Sequence, residues 1–171
     1  VSINNTAQIK FNMKIIGIIL MNLLISHSIY SKDTITNCRD YYYGVCLNEV
    51  AIEDFDAYLA LHKESEDQTI KGYHAVIWFL WADFYVNPIK KWKCFSKGKN
   101  GLEELINADY NNIELRFLRL TIQDNVPSFL GYNQNVKEDK DFLYNQLNNI
   151  TDKDLRKRII SYLSFGMAKL K

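Results

Sequence analysis

Large apolar residues recur at helical spacing along most of this chain. Between residues 51 and 168 they return every three or four positions, and no stretch alternates cleanly between apolar and polar residues beside a hairpin turn. Only two prolines and seven glycines interrupt the 171 residues. The pattern therefore predicts an all-α domain of six to seven helices. Short turns make successive helices antiparallel neighbours, so we expect stacked helical hairpins.

Six helices can be placed from the pattern, with expected bounds of about 51–64, 65–86, 88–106, 111–124, 136–147 and 151–168. The second is apolar nearly all round from Tyr73 to Val86, which predicts that it is the central and most buried helix. The third contains Gly98–Gly101, where the sequence allows a break. The expected N-terminal caps are a capping box that begins at Ser65, Asn87 before a proline, and Thr151.

An apolar segment near the beginning of the chain has the features of an export signal. Lys10 and Lys14 precede an apolar run over residues 15–25, and small polar residues follow that run. The run is shorter than the ~20 apolar residues that span a bilayer as a helix. We expect a cleaved signal peptide over 1–31, with 1–12 an over-extended start, and a single domain over 32–171. The protein is expected to be exported from a bacterium into the periplasm or medium, and to meet a membrane only through an uncleaved signal.

The charge balance does not favour a polyanionic partner. The whole chain carries a formal net charge of +1, and residues 1–31 hold two lysines and no acidic residue, so the remainder carries −1. A protein this close to neutrality has no overall field that attracts nucleic acid or an anionic membrane.

Three cysteines follow the signal segment: Cys38, Cys46 and Cys94. An odd number leaves at least one thiol unpaired. A disulfide between Cys38 and Cys46 requires a break near Gly44, because eight residues of continuous helix would separate them by about 12 Å. The other interpretation is three packed, reduced thiols.

Five lysines crowd ten residues around Trp92 and Phe95. One interpretation is an anion site for a phosphate, a polyanion or a lipid headgroup. The other is a solvated helix face whose lysine stems cover apolar surface. The lysines are Lys90, Lys91, Lys93, Lys97 and Lys99.

Other candidate chemistry is sparse. Asp83 lies in an apolar helix, so we expect it to be paired with a nearby lysine or arginine. His62 and Glu66 have the spacing of half a metal site, but no second pair completes it. Cys94 has Lys91 and Lys93 nearby in the sequence, which makes it a candidate reactive thiol. No motif requires a metal or a cofactor.

Two resemblances concern residues 98–119. Gly98-Lys99-Asn100-Gly101 and the apolar stretch after it are similar to the GXXG loop and helix of KH domains, which clamp a nucleic-acid backbone. Residues 101–119 resemble a tetratricopeptide (TPR) junction, in which one helix ends in an acidic residue and an Asn-containing turn. That resemblance implies a short TPR-like array, and TPR proteins bind peptides on concave surfaces. Residues 114–132 also resemble exported bacterial proteins of no known activity.

These observations favour an exported helical interaction or adaptor protein that binds a protein or peptide partner. The residues expected to lie near its groove are Arg116, Arg119, Gln123 and Tyr132, because the helix that carries the first three is partly polar on one side. A small enzyme with dispersed catalytic residues and a structural envelope protein are the alternatives. No catalytic residue can be named.

Overall fold

The computed structural model describes residues 34–168, so the expected signal peptide over 1–31 lies outside the described residues. The chain divides into two compact units, residues 1–37 and 38–171. In the first unit the described residues, 34–37, are helical. The second unit contains the remaining helices and both hydrophobic clusters described below.

The second unit is built from helices over the whole of its described part, which confirms the predicted all-α class. Successive helices pack against each other, most extensively α3 on α4 and α5 on α6. A short 3₁₀ turn, Ser128–Leu130, separates α5 from α6. The helices are α1 (residues 38–46), α2 (Ile52–Ala60), α3 (Gln68–Phe84), α4 (Pro88–Ala108), α5 (Ile113–Gln123), α6 (Val136–Gln146) and α7 (Lys153–Ala168).

One of the three predicted helix caps is confirmed. The other two capping residues lie one or two positions away from the predicted ones. Asn87 caps α4 as predicted, with its side-chain oxygen accepting two backbone N–H groups. Asp67, not Ser65, caps α3, and Asp152, not Thr151, caps α7. In each corrected case the carboxylate stands immediately before the first helical turn, where it reaches the free N–H groups two and three residues later.

The most buried helix is α5, and the prediction that it would be α3 is wrong. Every residue from Glu114 to Gln123 is buried. By contrast, α3 ends at the surface, where Asp83 and Phe84 are exposed. Helices α3, α4 and α6 all contact α5, and its polar side chains find partners inside the protein. A count of apolar positions underestimates the burial of α5, because its buried polar residues are paired inside the protein.

Two hydrophobic clusters lie on different sides of α5. The larger one joins α1 to α4 with one side of α5, and includes Phe55, Val76 and Leu102, all fully buried. The smaller one joins the other side of α5 to α6 and α7 through Leu120, Leu143 and Ile159. Helix α5 therefore contributes apolar side chains to both clusters.

Helices α3 and α4 approach closely at two glycines. A Cβ atom on Gly98 would lie 2.8 Å from the Phe79 ring and 3.0 Å from the Ala75 carbonyl oxygen. A Cβ atom on Gly101 would lie 3.3 Å from the Ala75 Cβ. These glycines sit inside an unbroken α4, so neither the expected break nor the KH-type loop is present.

The three cysteines are free thiols. Helix α1 continues past Gly44 without the break that a disulfide between Cys38 and Cys46 would need. Cys38 and Cys94 are buried, whereas Cys46 is exposed, so only two of the three thiols are packed. Burial raises the pKa of the Cys38 thiol to about 12, which keeps it protonated near neutral pH.

Replacing Gly98 by alanine should destabilise the fold. Alanine adds about 1 kcal/mol of helix propensity, but overpacking against the Phe79 ring and the Ala75 backbone costs about 1–3 kcal/mol. We expect Gly98→Ala to lower the free energy of unfolding measured in urea. Gly101→Ala is the matched control, because its Cβ meets only another Cβ at 3.3 Å, and it should change stability by less than about 1 kcal/mol. Equal effects of the two variants would contradict this packing.

Candidate functional site

The four residues expected to line a groove lie in the interior. Arg116, Arg119, Gln123 and Tyr132 are each 2% exposed. Gln123 exchanges hydrogen bonds with Asn135, through the backbone N–H and the side-chain oxygen of the asparagine. The polar character that suggested a groove therefore reflects pairing within the chain.

Arg116 and Arg119 both donate hydrogen bonds to one buried carboxylate. Asp139 is completely buried; its Oδ1 accepts from Arg116 Nε at 2.7 Å and its Oδ2 from Arg119 Nε at 2.7 Å. Arg119 also donates to Glu103, which accepts a further hydrogen bond of 2.6 Å from the Tyr132 hydroxyl. Burial alone would lower the pKa of Arg119, but Asp139 and Glu103 hold it above its usual value. Each charged group is thus compensated by hydrogen bonds.

A second buried ion pair joins α1 to α5. Arg39 donates to both carboxylate oxygens of Glu114, at 2.8 and 2.6 Å, and Tyr73 donates to the same carboxylate at 2.8 Å. The remaining guanidinium nitrogen of Arg39 reaches Asp152 and Asp154 at the start of α7. Sequence reasoning missed this pair, because the partners are 75 positions apart and nothing local marks them.

The five lysines of the proposed anion site point in different directions around α4. Lys90 lies above the Tyr85 ring, Lys97 above Trp78 and Lys99 above Tyr132. Lys91 Nζ lies 3.9 Å from a carboxylate oxygen of Asp83, whose side chain is almost fully exposed. Lys93 is exposed, with no ion pair or ring contact among residues 34–164. The structure does not gather the five into one patch, and it places Asp83 at the surface instead of in the core.

A shallow groove of about 400 Å³, largely open to solvent, lies between α3 and α4. Its lining includes Ala75 and Gly101, where a Cβ atom on the glycine would lie 3.3 Å from the Ala75 Cβ. Both helices contribute charged and apolar side chains to its walls. The lining residues are Lys71, His74, Ala75 and Trp78 from α3, and Lys97, Gly101, Glu104 and Leu105 from α4.

The charges in the groove are unevenly compensated. Lys71 is paired at 2.5 Å with Glu66, outside the groove. Lys97 has no carboxylate partner in the described part of the chain, and its Nζ lies 3.6 Å from the centre of the Trp78 ring. Such an ammonium–indole contact is favourable and fixes the position of the lysine. Among the described side chains, the groove therefore has an unpaired cation, Lys97, beside an apolar wall, and an unpaired carboxylate, Glu104, on the same helix.

His74 forms part of the groove wall. Burial lowers the pKa of its imidazole, and hydrogen bonding to the backbone of His62 opposes that shift only in part. The ring is therefore neutral at pH 7. Its Nε2 atom is buried, with no hydrogen-bond partner in the described structure. An unpaired buried nitrogen of this kind costs about 1–3 kcal/mol.

Residues 34–168 contain neither a metal site nor a membrane-spanning helix. No group of three or more His, Cys, Asp or Glu side chains there is arranged to hold a metal ion, and Glu66 of the half-site pairs with Lys71. No helix there is long and apolar enough to cross a membrane.

Comparisons with protein-family models, with curated proteins and with solved structures found no match for this chain. The features of the molecule that bear on function are therefore the groove, the surface and the buried ion pairs. Of these, the groove is the concave feature that combines apolar walls with an uncompensated charge.

Removing the buried carboxylate should strongly destabilise the protein. Asp139→Asn removes the buried carboxylate that two guanidinium groups share and leaves Arg116 only Glu138 and Arg119 only Glu103, both more exposed, so we expect a cost of about 3–5 kcal/mol. The matched control is Asp141→Asn on the same helix, because that carboxylate is exposed and forms only a long surface pair with Lys137. We expect the control to stay within about 0.5 kcal/mol of the wild type in urea unfolding. If Asp139→Asn were equally mild, the ion pairs would not stabilise the core as described.

Proposed function

We propose that this protein is an exported helical interaction protein, and that the groove between α3 and α4 binds an extended segment of a partner polypeptide. The segment carries an acidic side chain beside a large apolar one. The observation that carries the proposal is the stacking of Lys97 on Trp78 in the wall of an open groove.

The shape of the groove suits a polypeptide better than an enclosed small molecule. It is open to solvent and follows two long helices, whereas small-molecule sites bury most of the ligand surface. At Gly101, which lines the groove and has no side chain, the groove reaches the backbone of α4. Trp78 and Leu105 can then contact an apolar side chain from opposite walls.

The charge of the groove indicates the second feature of the partner. Lys97 lacks a carboxylate partner among the side chains that the structure describes, so an aspartate or glutamate of the bound segment would pair with it. Glu104 on the same helix disfavours a second acidic residue close by, which limits the register of the segment.

The helical hairpins around the groove support a role in binding. The residues that resemble a TPR junction span the end of α4, the turn over 109–112 and α5. Family members use stacked hairpins to hold peptides, so the resemblance favours the same use here. The apolar segment over residues 15–25 supports export as part of the proposal.

A peptide selection tests the proposal. Displayed random peptides are enriched on the immobilised protein, and the dissociation constant of the best sequence is measured by fluorescence anisotropy. We expect sequences with one acidic and one large apolar residue, and binding weakened at least about tenfold by Trp78→Ala and several-fold by Lys97→Glu.

Trp92→Ala is the matched control, because it removes an equally large side chain from the surface of α4 outside the groove. It should leave the dissociation constant unchanged. Lys97→Glu changes an exposed residue and so separates lost binding from lost folding. The proposal would be contradicted by a selection that enriches no such sequence, or by equal binding to wild type and Trp78→Ala.

A further inference from the structure

The turn between α3 and α4 exposes an unusual concentration of large apolar side chains. Four lie within nine residues: Phe84 is 60% exposed, Val86 98%, Ile89 67% and Trp92 57%. They occupy the last turn of α3, the connecting residues and the first turns of α4. We call these four residues the apolar tip. Exposed apolar residues in such a concentration mark an interaction surface.

The side chains of α4 in the apolar tip point away from the protein. Cys94, Phe95 and Leu102 define the buried side of the helix. At 100° per residue, Ile89 lies almost opposite to that side, with Trp92 and Lys93 on either side of it. The tip is therefore convex and projects into solvent, unlike the groove farther along the same helices.

Lysines surround the apolar tip. Between Asp83 and Lys93 the chain carries three lysines and a single carboxylate. That carboxylate, Asp83, is 3.9 Å from Lys91, so Lys90 and Lys93 remain without an acidic partner among the described side chains. Lys90 extends over the Tyr85 ring, next to the tip.

We propose that the apolar tip docks the protein on an anionic membrane surface. Tryptophan, phenylalanine and aliphatic side chains enter the headgroup and acyl boundary, while lysines stay in the headgroup layer and attract anionic lipids. A convex tip with a basic rim matches a planar anionic surface in both shape and charge. The lysines without an acidic partner among the described side chains complement the negative charge of such a surface. This docking is peripheral and uses a surface distinct from the proposed peptide groove.

The insertion of the tip can be followed through Trp92. The chain has three tryptophans, so the full-chain variant Trp78→Phe/Trp81→Phe leaves Trp92 as the only one. Vesicles of phosphatidylglycerol with brominated acyl chains should shift its emission to the blue and quench it. Vesicles of phosphatidylcholine should do so much less, and added salt should weaken the effect. The readout reports on the tip itself, so binding through the apolar segment at residues 15–25 does not mimic it.

Charge reversal and apolar substitution complete the test. Each lysine near an anionic surface contributes about fivefold to partitioning, so Lys90→Glu/Lys93→Glu should weaken binding at least about 25-fold. Ile89→Ser should weaken it about tenfold. The matched controls Lys137→Glu and Phe129→Ser change equally exposed residues far along the chain and should have no effect. These surface substitutions leave the buried core intact.

Unquenched Trp92 emission at every lipid composition would overturn the proposal, even if the protein sediments with the vesicles. Equal quenching in anionic and zwitterionic vesicles would overturn its electrostatic part. If Ile89→Ser abolished recovery of a protein partner while Trp92 remained unquenched by lipid, the tip would be a protein interface instead. None of these outcomes affects the peptide selection, which depends on Trp78 and Lys97.

Discussion

The structure depends on the burial of α5, a helix with charged side chains, and on the neutralisation of those charges by side chains of other helices. Helix α5 carries Glu114, Arg116 and Arg119, and all three are buried. A single unpaired charge in such a place would cost more than most domains can supply. Arg39 from α1 and Asp139 from α6 provide the counter-charges, with geometry that satisfies both oxygens of each carboxylate. The ion pairs therefore select which helices must surround α5 and in which register.

This constraint accounts for where the free surfaces lie. Once α5 has α1, α6 and α7 around it, its remaining side packs on α3 and α4, whose outer faces stay uncovered in the second unit. The close contact at Gly101 then shapes the groove, and the short connection between the two helices exposes the apolar tip. The groove and the tip are thus consequences of the same packing, although they are proposed to bind different partners.

The helices could be predicted from the sequence, but the arrangement of the polar core could not. Apolar spacing located the six predicted helices to within a few residues, and Asn87 before Pro88 gave a correct start for α4. The apolar spacing predicted that α3 is more buried than α5, because a prediction from apolar spacing assumes that every charged residue is solvated. Arg116 and Arg119 were accordingly assigned to a surface groove. Their partner Asp139 lies about 20 positions away on another helix, a relation that no local pattern contains. The groove residues His74 and Trp78 appeared as ordinary core positions, because a groove arises only where two helices meet.

Native-state amide hydrogen exchange tests the central claim most directly. If α5 is enclosed on all sides and held by buried ion pairs, the amides of residues 117–123 can exchange only when the whole domain unfolds. The account predicts that these amides have the highest protection in the protein, with exchange free energies equal to the global free energy of unfolding. Protection in α5 that falls clearly below that of α3 would contradict it, because α3 would then be the central helix that the apolar pattern alone suggested.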